Sequence, residues 1–340
     1  MKILVTGATG FIGKHLSRKL AEQGNTVHAL YRSEEKTAGM QHPNIFFFKG
    51  DVTDIDSIRI AMKGCEYVYH LAAYARVWAR QNDTFERINY QGTINVLETA
   101  IGQNIKKVVV TSTAGVFGPS VKNQIVDENT IRSLPYFSEY ERTKDLADKV
   151  IMKKYCSLVN VCIICPTRVF GPGELSAANS VTRLIHLYSS GKFRFLPSNG
   201  QSVGNYVFVE DVVEGMVLAM KKGKSGERYI LGGENMSFSE FFSGISTITG
   251  RSYKLIRMPV FIMMTVAGLM KFLAVAFRIP PLITPGWVRK YVYNWNISIE
   301  KAKNDLNYKP QSFKNGLNKT IMWIKNQKKS ASKSPAISIF

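Results

Sequence analysis

The sequence is short of cysteine, of long apolar runs and, through its second half, of negative charge. Four cysteines in 340 residues (Cys65, Cys156, Cys162, Cys165) are too few for a disulfide framework. Cys162 and Cys165 form a CxxC, but they lie in Leu158–Cys165, an apolar run that reads as a buried strand. Side chains three apart on a strand point to opposite faces, so the pair is read as core thiols, and no metal site is expected. There is no secretory leader pattern, because Lys2-Ile-Leu-Val5 runs directly into a glycine-rich turn, and the expected compartment is the cytoplasm. No acidic residue occurs between Phe241 and Ile299, or after Asp305.

That last absence locates the charge. Lys and Arg number 45 against 25 Asp and Glu, a net of +20. Residues 1–150 hold 19 basic and 16 acidic side chains, whereas residues 151–340 hold 26 and 9. An excess of this size suggests nucleic acid or an anionic membrane as a partner. The first half is nevertheless nearly balanced, so nucleic acid is not expected. A hydrophobic content of 45% and ample length exclude disordered and collagen-like chains.

Short apolar runs alternate with helical patterns through the first half, which predicts a parallel α/β sheet. Strands are expected at Lys2–Val5, Thr26–Tyr31, Ile45–Lys49, Tyr67–His70, Lys107–Ser112 and Leu158–Cys165. Helices are expected at Phe11–Gln23, Ile55–Met62, Phe85–Ile101 and Glu139–Lys154. The fold class is therefore α/β, a Rossmann-type doubly wound parallel sheet with a smaller C-terminal substrate domain. The expected boundaries are 1–170 for the dinucleotide-binding domain, with 201–222 returning to it. Residues 171–200 and 223–327 are expected to form the substrate domain, and 328–340 a basic disordered tail.

The first strand is followed by Thr6-Gly-Ala-Thr-Gly-Phe-Ile-Gly13, with glycines at 7, 10 and 13. Between a strand and a helix, such glycines make a tight turn, admit a pyrophosphate to the backbone and let the helix pack close. The three-and-three spacing resembles the extended branch of the short-chain dehydrogenase/reductase superfamily, the NAD-dependent epimerase/dehydratase family. Gly50-Asp-Val-Thr-Asp54 resembles its adenine-contacting turn, and His70-Leu-Ala-Ala73 its fourth-strand end beside the cofactor. Asn89 resembles its central structural asparagine. The resemblance implies cofactor contacts from Gly7, Thr9, Gly10, Phe11, Ile12, Gly13, Asp51, Val52, Leu71, Ala72 and Ala73. Cys165-Pro-Thr-Arg-Val-Phe-Gly-Pro-Gly173 resembles the family's run beside the nicotinamide, which adds Pro166 and Arg168, with Cys165 replacing the usual arginine.

An acid at the end of the second strand binds the ribose 2′-OH of NAD. Here Tyr31 holds that place and Arg32 and Ser33 follow, groups suited to a 2′-phosphate. NADP(H) is the expected cofactor, with Arg32 as a contact, and NAD(H) stays open because Glu34 and Glu35 lie nearby.

Tyr140 and Lys144 are four residues apart on one helix face. A tyrosine of ordinary pKa about 10 serves as a proton donor if a neighbouring ammonium stabilises its phenolate. Val110-Thr-Ser-Thr-Ala-Gly-Val-Phe-Gly118 resembles the family's SSxxVYG turn and implies that Thr113 bonds the substrate oxygen, with Ser112 as the alternative. Thr113, Tyr140 and Lys144 are the expected catalytic residues of an NAD(P)-dependent oxidoreductase.

Fold alone does not choose the reaction. Ala114-Gly115 stand where dehydratases of the family carry an Asp-Glu pair. The run from His70 to Trp78 and the apolar second half resemble dihydroflavonol 4-reductase and 3β-hydroxysteroid dehydrogenase-like members, which act on bulky, mostly apolar substrates. A sugar-nucleotide epimerase that retains NAD, and a non-catalytic sensor or RNA-binding member, are the alternatives. The resemblance also implies a homodimer formed through Phe85–Ile101 and Glu139–Lys154. Val260–Phe277 is apolar except for Thr265 and Lys271. It reads as a core or pocket-lining helix, as a peripheral contact with the inner face of a membrane, or as a span, for which about 20 residues are needed.

Overall fold

A parallel strand covered by helices on both faces must be apolar along its length. The computed structural model, which describes residues 1–121 and 124–333, makes the first such run β1 (Lys2–Thr6). α1 (Phe11–Glu22), β2 (Thr26–Tyr31), β3 (Ile45–Lys49), α2 (Ile55–Met62) and β4 (Tyr67–His70) follow. Asp54 caps α2 by accepting from the Asp56 amide, which fixes where that helix begins. A single helix is expected from Phe85 to Ile101. The chain instead forms a π-helical turn over Glu86–Gln91 before α3 (Gly92–Gly102). β5 (Lys107–Thr111), α4 (Glu139–Lys153), β6 (Val161–Pro166) and β7 (Arg168–Phe170) come next.

The second half supplies α5 (Ser180–Ser189), β8 (Phe195–Pro197), β9 (Val203–Phe208), α6 (Val209–Lys222), β10 (Arg228–Leu231), β11 (Glu234–Ser237) and α7 (Phe238–Thr249). Ser237 and Glu240 form a reciprocal capping box at the start of α7, and Gly250 ends it at φ 66°. Then follow β12 (Ile256–Met258), α8 (Val260–Phe277), α9 (Pro285–Val292), α10 (Glu300–Leu306) and α11 (Phe313–Lys333).

The main sheet is parallel, in the order β10-β6-β5-β4-β1-β2-β3. The order reverses between β1 and β4, and a crevice opens there at the strands' carboxyl ends. A second core surrounds the three-stranded sheet β11-β9-β7, with Phe170, Phe208, Phe241, Phe242 and Phe313 in contact around it.

Four expectations are corrected. Residues 223–327 do not all leave the first domain: β10 is the seventh strand of the main sheet, and Ile297, Ile299, Ala302, Leu306 and Tyr308 pack in its core. Arg228–Leu231 is too short to announce itself as a strand, and only its pairing with β6 makes it one. Of 201–222, α6 does return to pack on α1, β5 and β6, while β9 belongs to the smaller sheet. The basic tail does not begin at Lys328, since α11 runs to Lys333; residues 334–340 lie outside the described residues. Val260–Phe277 is not a core helix, because only Ala267 and Ala274 are buried along it.

Candidate active site

The crevice at the strand ends is a cavity of about 640 Å³. Its floor is the turn after β1. Gly7 adopts φ 69°, and a Cβ there would lie 2.6 Å from the Ala72 nitrogen. At Gly13 a Cβ would lie 2.1 Å from the Gly7 carbonyl oxygen, so only glycine lets α1 approach β1 this closely. The Gly10 carbonyl already accepts from Lys14, and α1 directs its first N–H groups toward the cavity without a capping side chain.

Of the expected cofactor residues, Gly7, Thr9, Gly10, Phe11, Arg32, Asp51, Val52, Leu71, Ala72 and Ala73 line this cavity. Gly13 faces the strand, and Ile12 packs against both hydrophobic cores. Asp51 takes the Thr53 amide and hydroxyl at 2.9 Å each and stands 3.4 Å from an Arg32 nitrogen. Burial pushes its carboxyl up, but these donors outweigh burial and hold it below its ordinary range. The sequence reading missed Lys14, His15, Lys36, Arg76 and the 173–178 wall. His15 shares a 2.8 Å hydrogen bond with the Pro172 carbonyl and so ties α1 to the loop after β7. The signal for that wall was the Gly171-Pro-Gly173 run, whose glycines take φ of 150° and 145°.

Pro166 and Arg168 lie elsewhere. With Thr113, Thr167, Asn205, Lys290, Trp295 and Ile297 they line a second cavity of about 40 Å³. The Arg168 guanidinium rests against the rings of Tyr206, Phe238 and Tyr291 and donates to the Tyr206 hydroxyl at 3.0 Å. Its Nη2 is buried with no hydrogen-bond partner among the described residues. Lys290, from α9, reaches the buried Glu141 carboxylate at 3.0 Å, and Arg132 reaches the same group at 3.2 Å.

The catalytic candidates sit where β5 meets α4. Ser138 caps α4 by accepting from the Glu141 amide, which sets the helix phase. Tyr140, Lys144 and Asp148 then follow at four-residue steps, one stripe of the helix. Asp148 was missed although the spacing displays it. Its Oδ2 accepts a 2.6 Å hydrogen bond from Ser112, whose hydroxyl is thereby committed to the interior. Thr113, one residue on, accepts from the Gly115 amide at 3.2 Å, and among the described residues its own hydroxyl proton has no acceptor. Asn89, in the π-helical turn, donates to Thr143 at 3.1 Å and accepts from the Tyr74 amide at 2.7 Å. It thus pins the loop after β4 to the residue beside Lys144, a placement typical of π-bulges at functional sites.

Burial governs the electrostatics here. It pushes Asp148 up to about 6, against the pull of Lys144 and Ser112. It lowers the Lys144 ammonium, which Asp148 partly offsets. It drives His70 down to about 3, with Lys144 adding to the effect, so that a neutral ring joins the Thr6 and Thr93 hydroxyls. The expected lowering of Tyr140 by Lys144 is not seen: burial raises the phenol, and Asp148 and Glu141 raise it further. Cys165 is a fully buried free thiol on the Asp148 side of β6, whereas Cys162 faces Ala219, so the two point apart as expected.

A nicotinamide dinucleotide fits this arrangement. The glycine turn leaves no room for a Cβ at Gly7 or Gly13, and the Lys144 Nζ is buried without a hydrogen-bond partner among the described residues. Such an orphaned ammonium is costly unless a ligand oxygen completes it.

Comparison with known proteins agrees. The model of the NAD dependent epimerase/dehydratase family matches residues 3–232. A Synechocystis protein provisionally named dihydroflavonol 4-reductase is 29% identical over 95% of this chain and 94% of its own. The mouse sterol-4-alpha-carboxylate 3-dehydrogenase, decarboxylating, is 29% identical over 91% of this chain and 86% of its own. Among solved structures, UDP-glucose 4-epimerase from Thermotoga maritima superposes with a TM-score of 0.79 at 25% identity, covering 96% of this chain and 99% of that one. With the family model spanning most of the sequence, the chain belongs to the NAD dependent epimerase/dehydratase family, the extended short-chain dehydrogenases/reductases, and is a nicotinamide-dependent enzyme of that family.

Proposed function

We propose that this protein is an oxidoreductase that moves a hydride between nicotinamide C4 and a ketone or secondary alcohol of a bulky, mostly apolar substrate. The observation that carries the proposal is the α4 stripe, in which Tyr140 precedes a buried Lys144 whose Nζ has no hydrogen-bond partner among the described residues, with Thr113 at the head of the Ala114–Phe117 turn that packs on α4. The cofactor supplies or accepts the hydride. Lys144 completes its hydrogen bonds on the nicotinamide ribose. Thr113 donates to the substrate oxygen. Tyr140 gives that oxygen a proton on reduction, or removes it on oxidation, and its raised pKa keeps the phenol protonated until negative charge develops.

NADP(H) is the proposed cofactor. Arg32 and Lys36 both line the cavity at the end of β2, where a 2′-phosphate would be met by two cations. The apolar substrate is supported by Pro166, Trp295 and Ile297 around Thr113, and by the names of the dihydroflavonol and sterol relatives. The enzyme is proposed to act in the cytoplasm as a homodimer formed through the segments Phe85–Ile101 and Glu139–Lys154, with no nucleic acid partner.

Likeness to the epimerase favours a second reading, a sugar-nucleotide epimerase that keeps NAD bound. Native mass spectrometry of protein taken directly from cells separates the two. Absence of retained nucleotide, with NADPH binding tighter than NADH, supports the reductase; stoichiometric NAD overturns it.

A further inference from the structure

An apolar helix in a water-soluble fold normally turns its greasy side inward. α8 does not. Its 18 residues have a mean hydropathy of 2.2, yet the helix is only 17% buried. Phe261, Leu269, Phe272, Val275 and Phe277 are each more than half exposed, and the patch continues through Ile279 and Leu282. An exposed apolar surface of this extent marks an interaction site.

We propose that α8 docks the enzyme on an anionic lipid bilayer, lying flat in the interfacial layer rather than crossing it. Charge favours a bilayer as the occupant. Lys254, Arg257, Lys271 and Arg278 lie within or beside the helix, and the whole stretch from Phe241 to Ile299 carries no carboxylate. An apolar face edged by cations suits anionic headgroups over an acyl layer.

The flat orientation follows from the packing. Ala267 and Ala274, seven residues apart and so on one face, are the two buried positions, and α8 packs on α9. The opposite face presents Ile262, Leu269 and Phe272, free of charge. At 100° per residue, Lys271 lies about 40° to one side of Ala267 and about 60° from Ala274, an exposed position flanking the buried face rather than on the outer one. A flat helix would therefore sink its outer face about 5–10 Å while Lys271 stays at the water line. Both ends of α8 are also tied to one body: β12 pairs with β8 before it, and α9 follows it. At 1.5 Å per residue the helix is about 27 Å long, short of a hydrocarbon core of about 30 Å.

The contact reaches the substrate cavity. α9, on which α8 rests, lies so close to Phe137 that a Cβ at Gly286 would meet the Phe137 carbonyl oxygen at 1.8 Å. It places Lys290 in the wall beside Thr113 and Tyr291 against Arg168. A bilayer under α8 thus adjoins the mouth through which an apolar substrate leaves the lipid. Only this last step rests on the function proposed above.

Co-sedimentation of the full chain with phosphatidylcholine vesicles, with and without phosphatidylglycerol, tests the docking independently of turnover. Binding at least tenfold stronger to the anionic vesicles and weakened by salt is expected. The double variant Leu269→Glu/Phe272→Glu should lose that binding at least tenfold with unchanged melting temperature and NADPH affinity. Phe272→Trp should be quenched by lipids brominated near the headgroup more than by lipids brominated at the chain ends. Three results would overturn the proposal: no binding to either vesicle, anionic binding untouched by the double variant, or a lipid-free dimer that the double variant dissociates in place of vesicle binding. Deeper quenching from the chain ends would overturn the flat orientation.

Discussion

Ser112 and Asp148 are joined by a 2.6 Å hydrogen bond that is wholly buried. Because the bond engages Ser112, the neighbouring Thr113 is left to face the cavity. Thr113→Val should lower kcat by about 10²–10³, the usual cost of losing one donor to a developing oxyanion. NADPH affinity should stay within a few fold. Ser112→Ala should instead cost about 1–3 kcal/mol of stability by leaving a buried acceptor unpaired. Steady-state kinetics with thermal melts separate the two; equal losses of kcat in both variants would contradict the division of roles.

Asp148 also sets a pH dependence of stability. Its folded pKa of about 6 lies above the unfolded value, so the native state holds its proton through that interval. The contribution is therefore fully present at acid pH and lost as pH rises through about 6. Asp148→Asn removes it. The variant's melting temperature should gain on the wild type between about pH 4 and pH 6, the interval between the unfolded and folded pKa values. A difference constant across that range would show that Asp148 does not titrate there.

Cofactor choice is predicted to rest on Arg32. Only 3.4 Å from Asp51 and more than half exposed, it is available to a 2′-phosphate. Arg32→Ala should weaken NADPH by about 10–100-fold, the worth of a charged hydrogen bond, and leave NADH nearly unchanged. Nucleotide fluorescence titration measures both. Equal weakening would place the selection elsewhere.

Gly13→Ala tests the cradle. Its Cβ would collide with the Gly7 carbonyl oxygen, backbone against backbone, and cannot be relieved by a rotamer change. The melting temperature should fall together with cofactor affinity. Retention of both would mean that α1 tolerates a shift the packing does not suggest.

Much of this was legible in the sequence, for identifiable reasons. β1, β2 and β4 are buried on both faces, so their apolar runs marked them to within a residue, and the edge strand β3 was marked by its run of phenylalanines although it is partly exposed. Gly7 and Gly13 announced the cradle because backbone geometry allows nothing else there, and Gly10 completed the spacing. What stayed hidden depends on contacts distant in sequence. β10 is a strand only by pairing with β6 across more than sixty residues. Pro166 and Arg168 stand in a motif that suggested the cofactor; the end of β6 and the pairing of β7 with β9 set them in the small cavity with Thr113. Tyr140 and Lys144 were visible as a pair, but the raised phenol was not, since burial decides it. The exposure of Val260–Phe277 follows from how little of it packs on the body, its main contact being α9, which hydropathy does not reveal.

The central claim, that Tyr140 moves the proton in a hydride transfer, is tested most directly by NADPH-dependent reduction of a bulky apolar ketone such as decalone. Wild type and Tyr140→Phe should bind NADPH alike, and the variant should lose about 10²–10⁴ in kcat, the usual contribution of a positioned acid. A variant that turns over within tenfold of the wild type, with NADPH affinity unchanged, would contradict the assignment.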